Sequence, residues 1–291
     1  MPAPPVVLSI AGYDPSSGAG VTADIKTAAA LGCYAVTCLT ALTVQSTQGV
    51  FAVEPVRAEV IRETLKRLQE DFTIAGVRIG MLDSGAVAER VAEFLEREKL
   101  PNVVLDPVIR SSSGADLIDS AGIQILRTRL LPLADLITPN IEEAAILADV
   151  DAPLPGDTWA NSRQRVRELA DRLHGLGARA VLVTGGHLAE PVDLLSIQQS
   201  GGSRLLHDFP GEYIESRSTH GTGCALATAL ACLLARGSNM VAAVAGAKEY
   251  VRQAIVQAYP LGKGLGPVNH LFQVKAESPQ REGSGDPRSD T

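Results

Sequence analysis

The stretch Ser218-Thr219-His220-Gly221-Thr222-Gly223-Cys224 runs straight into an apolar, alanine-rich segment, residues 225–235. Its two glycines let the backbone turn sharply and approach a bound group. A helix starting there leaves its first amide N–H groups unpaired and the positive end of its dipole outward. Such a nest holds an anion. A cysteine at its mouth feels the same field, which favours thiolate over thiol and makes Cys224 a candidate proton acceptor or nucleophile. The competing reading is a small buried apolar residue in an ordinary glycine-rich turn. As a site, the nest suggests group transfer, with Gly221, Thr222 and Gly223 supplying the amides.

Other polar residues stand where strands or helices would present them. Asp24 falls in the first turn of a helix predicted over 21–31, where an acid ordinarily complements the dipole. Gln45 lies in a polar run, 43–49, that reads as a loop able to carry a ligand-reading amide. Asp106 closes the apolar run 102–106, and in open α/β sheets ligands sit at the carboxyl ends of strands. Asn140 and Glu143 have the spacing of a capping box, which needs no function, yet two oxygen-bearing side chains on one turn also suit hydrated magnesium. The pair Gly185-Gly186 permits close backbone approach to a ligand, and His187 beside it reads as solvent-facing.

The elements that must position these residues alternate. Short apolar runs at 6–12, 34–42, 77–80, 102–106, 134–139 and 180–187 read as strands. Amphipathic stretches at 57–71, 84–99, 120–130 and 158–175 read as helices between them. Residues 192–198 and 203–209 flank Gly201-Gly202 as a hairpin, and helices over 222–236 and 239–259 close the fold. This pattern is a three-layer αβα sandwich with a mainly parallel central sheet. No linker divides residues 5–274, so one domain is expected there. The polar run 275–291 reads as a disordered tail. Glycines at 262, 264 and 266 follow a helix rather than a strand and form no dinucleotide fingerprint, and no P-loop motif occurs.

Composition narrows the partners. The 291-residue chain is 45% hydrophobic and 20% charged with a net charge of -7, and no basic stripe offers a footprint for nucleic acid. Cys33, Cys38, Cys224 and Cys232 have neither zinc-site nor disulfide-framework spacing, which fits a reducing cytoplasm. The opening Met1-Pro2-Ala3-Pro4-Pro5 lacks a basic leader, and the apolar run after it is too short to span a membrane.

Several spaced motifs carry a family resemblance: Ala11-Gly12-Tyr13-Asp14-Pro15-Ser16-Ser17-Gly18-Ala19-Gly20, Thr40-Ala41-Leu42-Thr43-Val44-Gln45, Ile79-Gly80-Met81-Leu82, Leu105-Asp106-Pro107-Val108, Thr138-Pro139-Asn140, Gly185-Gly186-His187 and His220-Gly221-Thr222-Gly223-Cys224. In this order, across roughly residues 5–272, the chain resembles the hydroxymethylpyrimidine/phosphomethylpyrimidine kinases of thiamine biosynthesis, in the ribokinase-like superfamily. The resemblance implies phosphorylation by ATP of 4-amino-5-hydroxymethyl-2-methylpyrimidine and then of its monophosphate, in a cytoplasmic homodimer. It implies that Cys224 takes the alcohol proton while the amides of 221–223 hold the transferring phosphoryl. It places the pyrimidine near Gly12, Asp24, Gln45, Met81 and Val108. Asp106, Asn140, Glu143, Thr184 and Gly186 then serve nucleotide and phosphate, with magnesium at Asn140 and Glu143. Tyr13, Ser17 and Thr184 depart from the common pattern, Thr184 standing where lysine is frequent. A pyridoxal kinase of the same framework and a catalytically silent ligand-binding relative are the alternatives.

Overall fold

The computed structural model describes residues 2–111, 114–152, 158–186 and 188–274. The expected tail over 275–291 and His187 lie outside them. In chain order the elements are β1 (Val6–Tyr13), α1 (Gly20–Ala30), β2 (Tyr34–Ser46), β3 (Gly49–Pro55), α2 (Ala58–Asp71), β4 (Ile74–Ile79), α3 (Gly85–Glu98), β5 (Val103–Leu105), α4 (Ser120–Ile125), α5 (Leu131–Leu133), β6 (Leu136–Ile137), α6 (Ile141–Ala148), α7 (Trp159–Gly175), β7 (Ala180–Val183), β8 (Val192–Gln198), β9 (Arg204–Pro210), α8 (Thr222–Ala235) and α9 (Met240–Val256).

Among the described residues, nine strands form one sheet in the order β3-β2-β1-β4-β5-β6-β7-β8-β9. Strands β2 through β7 pair in parallel, because a helical crossover separates consecutive members. Connections without a helical crossover leave β3, β8 and β9 antiparallel at the two edges. Helices cover both faces, so the inner strands are mostly apolar, with Ser9 in β1, Thr40 in β2 and Arg78 in β4 as buried exceptions. Ile61, Val91, Ala144 and Leu169 of α2, α3, α6 and α7 close one core. Ala28, Ala229, Ala231 and Val244 of α1, α8 and α9 close the other. The αβα sandwich read from the pattern is the fold observed.

The polar run 43–49 is not a loop, however. Strand β2 continues through it to Ser46 and turns into β3, placing Gln45 opposite Val50 near the hairpin tip. Beyond Leu42 β2 pairs with β3 alone, and such a two-stranded extension needs no buried second face, so polar residues alternate with apolar ones and mimic a loop. The helix expected over 120–130 is present and runs on to Leu133, α4 passing through a π-helical turn, Leu126–Leu130, into α5.

Parallel wiring brings the carboxyl ends of β1, β4, β5, β6 and β7 to one edge. There the ladder runs past the strands, with Gly80 N–H donating to the Ile10 carbonyl at 2.9 Å and Asp106 N–H to that of Ile79 at 2.8 Å. Thr138 N–H likewise donates to Leu105 and Thr184 N–H to Pro139, each at 2.9 Å. The two glycines that follow have different reasons. A Cβ on Gly185 would stand 2.1 Å from the Val192 carbonyl oxygen, whereas one on Gly186 would meet nothing within 4 Å. Gly185→Ala is therefore expected to lower unfolding free energy by about 1–3 kcal/mol and Gly186→Ala by under about 0.5, measured by urea denaturation.

Candidate active site

Helix α8 starts from Gly221, whose φ of +87° puts it in the left-handed region. A side chain there is excluded twice, since a Cβ would fall 1.8 Å from the Gly18 carbonyl oxygen. The loop after β1 is thus pressed onto the nest. No carbonyl outside the helix accepts from the N–H of Gly223 or Cys224 among the described residues, and Thr222 N–H reaches only Thr219 O, at 3.4 Å. Gly223 is exposed, with open space where a side chain would be. The N–H groups of Gly223 and Cys224 are thus left open, as an anion site requires.

Beneath it lies a buried charge cluster. Arg78, from the middle of β4, is 0% exposed. Its Nη1 donates to Asp24 Oδ2 at 3.3 Å and its Nη2 to Asp106 Oδ2 at 2.9 Å. Asp24 also accepts from Ser9 Oγ at 2.5 Å and Thr228 Oγ1 at 2.6 Å. Its carboxylate is neither a dipole complement nor open to a ligand: it is 0% exposed, one layer below the cleft. Half-buried Cys224 stands one turn before Thr228 on the same face of α8, which sets it beside this cluster.

The thiolate expected from the helix field does not form at neutral pH. Burial pushes the Cys224 thiol up to about 11; Arg78 and the Gly20 N–H pull it down, and the Asp24 and Asp106 carboxylates oppose them. Desolvation and two nearby carboxylates outweigh one guanidinium and one N–H. Burial likewise raises Asp106, against the pull of Arg78.

Beside the cluster is an apolar surface. Met81 packs with Ala41 and Leu117, joined by Val53 and half-buried Val108. Gly12 lies close below, as a Cβ there would stand 3.0 Å from the Met81 sulfur. The polar rim is Gln45, 3.3 Å from His220 Nε2, which in turn is 2.8 Å from Asp14 Oδ2. Asp14 further accepts from Ser16 N–H and Oγ and from Ala19 N–H, fixing the loop over the nest. Burial works against ionisation of Asp14, but its bonds to His220 and Ser16 hold it below the usual carboxylate range. A small recess lined by Gln45, Ser46, Val50 and His220 opens beside this rim.

Across the strand ends, Asn140 and Glu143 form the capping box, with Glu143 N–H to Asn140 Oδ1 at 2.9 Å and Asn140 N–H to Glu143 Oε2 at 3.0 Å. Burial and then Asp106 raise Glu143 to about 8. Next to them Thr138 Oγ1 is buried without a partner. Thr184 bridges to Asn140 through the backbone, and the exposed Gly186 follows. Gly185 N–H is held by Asp193, whose other oxygen takes Lys248 Nζ at 2.5 Å. No group of three or more His, Cys, Asp or Glu among the described residues forms a ready metal cage. Magnesium, which keeps waters and binds through one or two carboxylates plus phosphate oxygens, fits this sparse donor set and its orphan hydroxyl.

The structure therefore gathers Gly12, Gln45, Met81, Val108 and the nest on one side, and Asp106, Asn140, Glu143, Thr184 and Gly186 along the strand ends. Sequence reading passed over Arg78, Asp14 and His220 as site residues. An arginine inside the apolar run Val77-Arg78-Ile79 was the available signal.

A family model described as phosphomethylpyrimidine kinase matches residues 14–269. The hydroxymethylpyrimidine/phosphomethylpyrimidine kinase of Aquifex aeolicus is 39% identical over 261 residues, covering 89% of this chain and 97% of that protein. A bifunctional thiamine biosynthesis protein of Geobacter sulfurreducens is 41% identical over 92% of this chain, which spans 53% of that longer protein. Among solved structures, an ADP complex of Bacillus subtilis pyridoxal kinase superposes with a TM-score of 0.81 at 31% identity, over 93% of this chain and 99% of that one. The phosphomethylpyrimidine kinase of Clostridium difficile 630 gives 0.73 at 33%, over 86% and 99%. The bare nest, the strand-end carboxylates and these matches agree, and the chain belongs to the phosphomethylpyrimidine kinase family.

Proposed function

We propose that this protein transfers the terminal phosphoryl group of ATP to the hydroxymethyl oxygen of 4-amino-5-hydroxymethyl-2-methylpyrimidine, and then a second one to the resulting monophosphate, for thiamine biosynthesis. The observation that carries the reading is the unpaired first turn of α8 beside the Met81 and Val108 surface. A flat aminopyrimidine suits an apolar wall with a polar rim, and Gln45 is the side chain for its ring nitrogen or exocyclic amine. Asp24 contributes indirectly, through Arg78. The working unit is the kinase domain over 5–274, a cytoplasmic homodimer without nucleic-acid or membrane partners. No helix among the described residues is long and apolar enough to cross a membrane.

Phosphoryl transfer asks a protein chiefly for positioning and charge stabilisation. The amides of 221–223 and of Cys224 face the oxygens that gain charge, and being preorganised they need no rearrangement. Asp106, Asn140 and Glu143 would hold magnesium against the nucleotide phosphates; when bound, the ion neutralises phosphate charge. Thr184 offers a hydroxyl in place of a lysine ammonium, with Gly185 and Gly186 allowing close backbone approach. Cys224 accepts the alcohol proton, through its thiolate.

Because the resting sulfur is a thiol, a base role carries a pH signature. Turnover is expected to rise with pH by up to about tenfold per unit between about 7 and 10, and Cys224→Ala to lower it by about 10²-fold or more and remove that slope. Both are read from ADP release with the pyrimidine alcohol, its monophosphate or pyridoxal as acceptor. A flat profile together with an active alanine variant would refute the assignment, and a preference for pyridoxal would favour the other framework member. Gln45→Ala is expected to raise the KM for the pyrimidine by about tenfold or more while leaving that for ATP within about twofold, as loss of a hydrogen bond to one substrate would.

A further inference from the structure

Along β4, Val77 and Ile79 face the α3 and α7 core, which turns Gly76, Arg78 and Gly80 toward α1 and α8. The two glycines have separate steric causes. A Cβ on Gly76 would meet the Ala231 carbonyl oxygen at 3.1 Å, because alanine-rich α8 lies almost on the sheet. One on Gly80 would stand 1.9 Å from Arg78 Nη1, 2.5 Å from Cζ and 2.8 Å from Nη2. The guanidinium thus fills the space that a side chain at 80 would need, and is led along the strand toward the cleft. Asp24, to which it donates, also accepts from Thr228 Oγ1, and Cys224 stands one turn before Thr228 on the same face of α8.

A buried ion cluster of this kind is a poor source of stability, since desolvation offsets most of its attraction. Here one donor, Arg78 Nε, is buried with no partner at all. The charged groups facing the sulfur are Arg78 from β4, Asp24 from α1 and Asp106 after β5. Arg78 is the single cation among them, against two carboxylates.

Resting on the base reading of Cys224, we propose that Arg78 is a positioning residue for phosphoryl transfer, whose guanidinium holds the Cys224 sulfur at the mouth of α8 and stabilises the thiolate that takes the alcohol proton. In the step the alcohol O–H bond breaks and an S–H bond forms. The freed oxygen bonds to the γ-phosphorus, and the bond from that phosphorus to the bridging oxygen breaks, releasing ADP. Arg78 touches neither substrate; it acts through the sulfur.

The test uses the full-length enzyme and two readouts: steady-state kinetics, and alkylation of Cys224 by iodoacetamide at pH 9, followed by mass spectrometry of its peptide. Arg78→Met is expected to lower kcat by about 10²-fold or more with the pyrimidine KM within about threefold, and to slow alkylation by about tenfold or more. Arg78→Lys, which keeps a cation there, is expected to restore both to within about tenfold of wild type. Should Arg78→Met fail to fold, Gly80→Ala displaces the guanidinium without removing its charge and is expected to slow alkylation by about threefold or more at unchanged circular dichroism. Wild-type alkylation rates in a folded Arg78→Met or Gly80→Ala enzyme overturn the proposal, as does failure of Arg78→Lys to rescue. Wild-type turnover in Cys224→Ala instead removes the base reading itself. An inactive Cys224→Ala alongside a normally alkylated Arg78→Met removes only the role of Arg78.

Discussion

The guanidinium of Arg78, sealed between the sheet and α8, is the interaction on which the arrangement of the cleft depends. It joins β4 to α1 through Asp24, to the end of β5 through Asp106 and, by way of Asp24 and Thr228, to α8. Three separate crossovers are thereby held at one point. Removing one partner of such a cluster leaves an uncompensated buried charge, at a cost of about 3–5 kcal/mol. The cation also sits where the helix dipole, two carboxylates and a thiol converge, so it decides how much negative charge the cleft floor can carry.

Small residues make this convergence possible. The stretch Ala225, Ala227, Ala229 and Ala231 in α8 is fully buried, and Gly76 and Gly80 face the helix from the sheet. That shallow packing brings the first turn of α8 down to the strand ends, beside the apolar cluster of Met81, Ala41 and Leu117. The loop after β1 is clasped from two sides. Asp14 takes His220 from above, while the buried His270 contacts the Gly18 carbonyl oxygen and Thr27 Oγ1 from below. Burial pushes His270 down to about 4, so it is neutral at physiological pH and serves the loop as a hydrogen-bonding prop. The nest is consequently a preformed feature, supported on both flanks.

The relation to pyridoxal kinases has a physical basis in the same geometry. Any planar ring bearing a hydroxymethyl group presents one alcohol to the nest and one face to an apolar wall. On the proposed reading, discrimination would fall to the rim, where Gln45 and His220 lie 3.3 Å apart.

The alternation of strand and helix was legible from residue 6 onward, because both hydrophobic faces of a parallel sheet must be covered and the periodicity records that requirement. The capping box at Asn140 and Glu143 and the turn at Gly221 were legible too, since each is a local device with a local signature. The hairpin tip at Gln45 was not, because a two-stranded extension beyond the sheet, with one free face, shares its composition with a loop. Nor was the state of Cys224 or the burial of Asp24. Both depend on groups brought together from positions 9, 24, 78, 106, 224 and 228, and the balance between helix dipole, desolvation and carboxylate repulsion exists only once those six are in contact. Sequence alone determined the layers, the order of the strands' contents and the nest. Tertiary structure decided which charges surround it, because electrostatic free energy in a buried cluster is set by distance and solvent exclusion, and neither is encoded in any one segment.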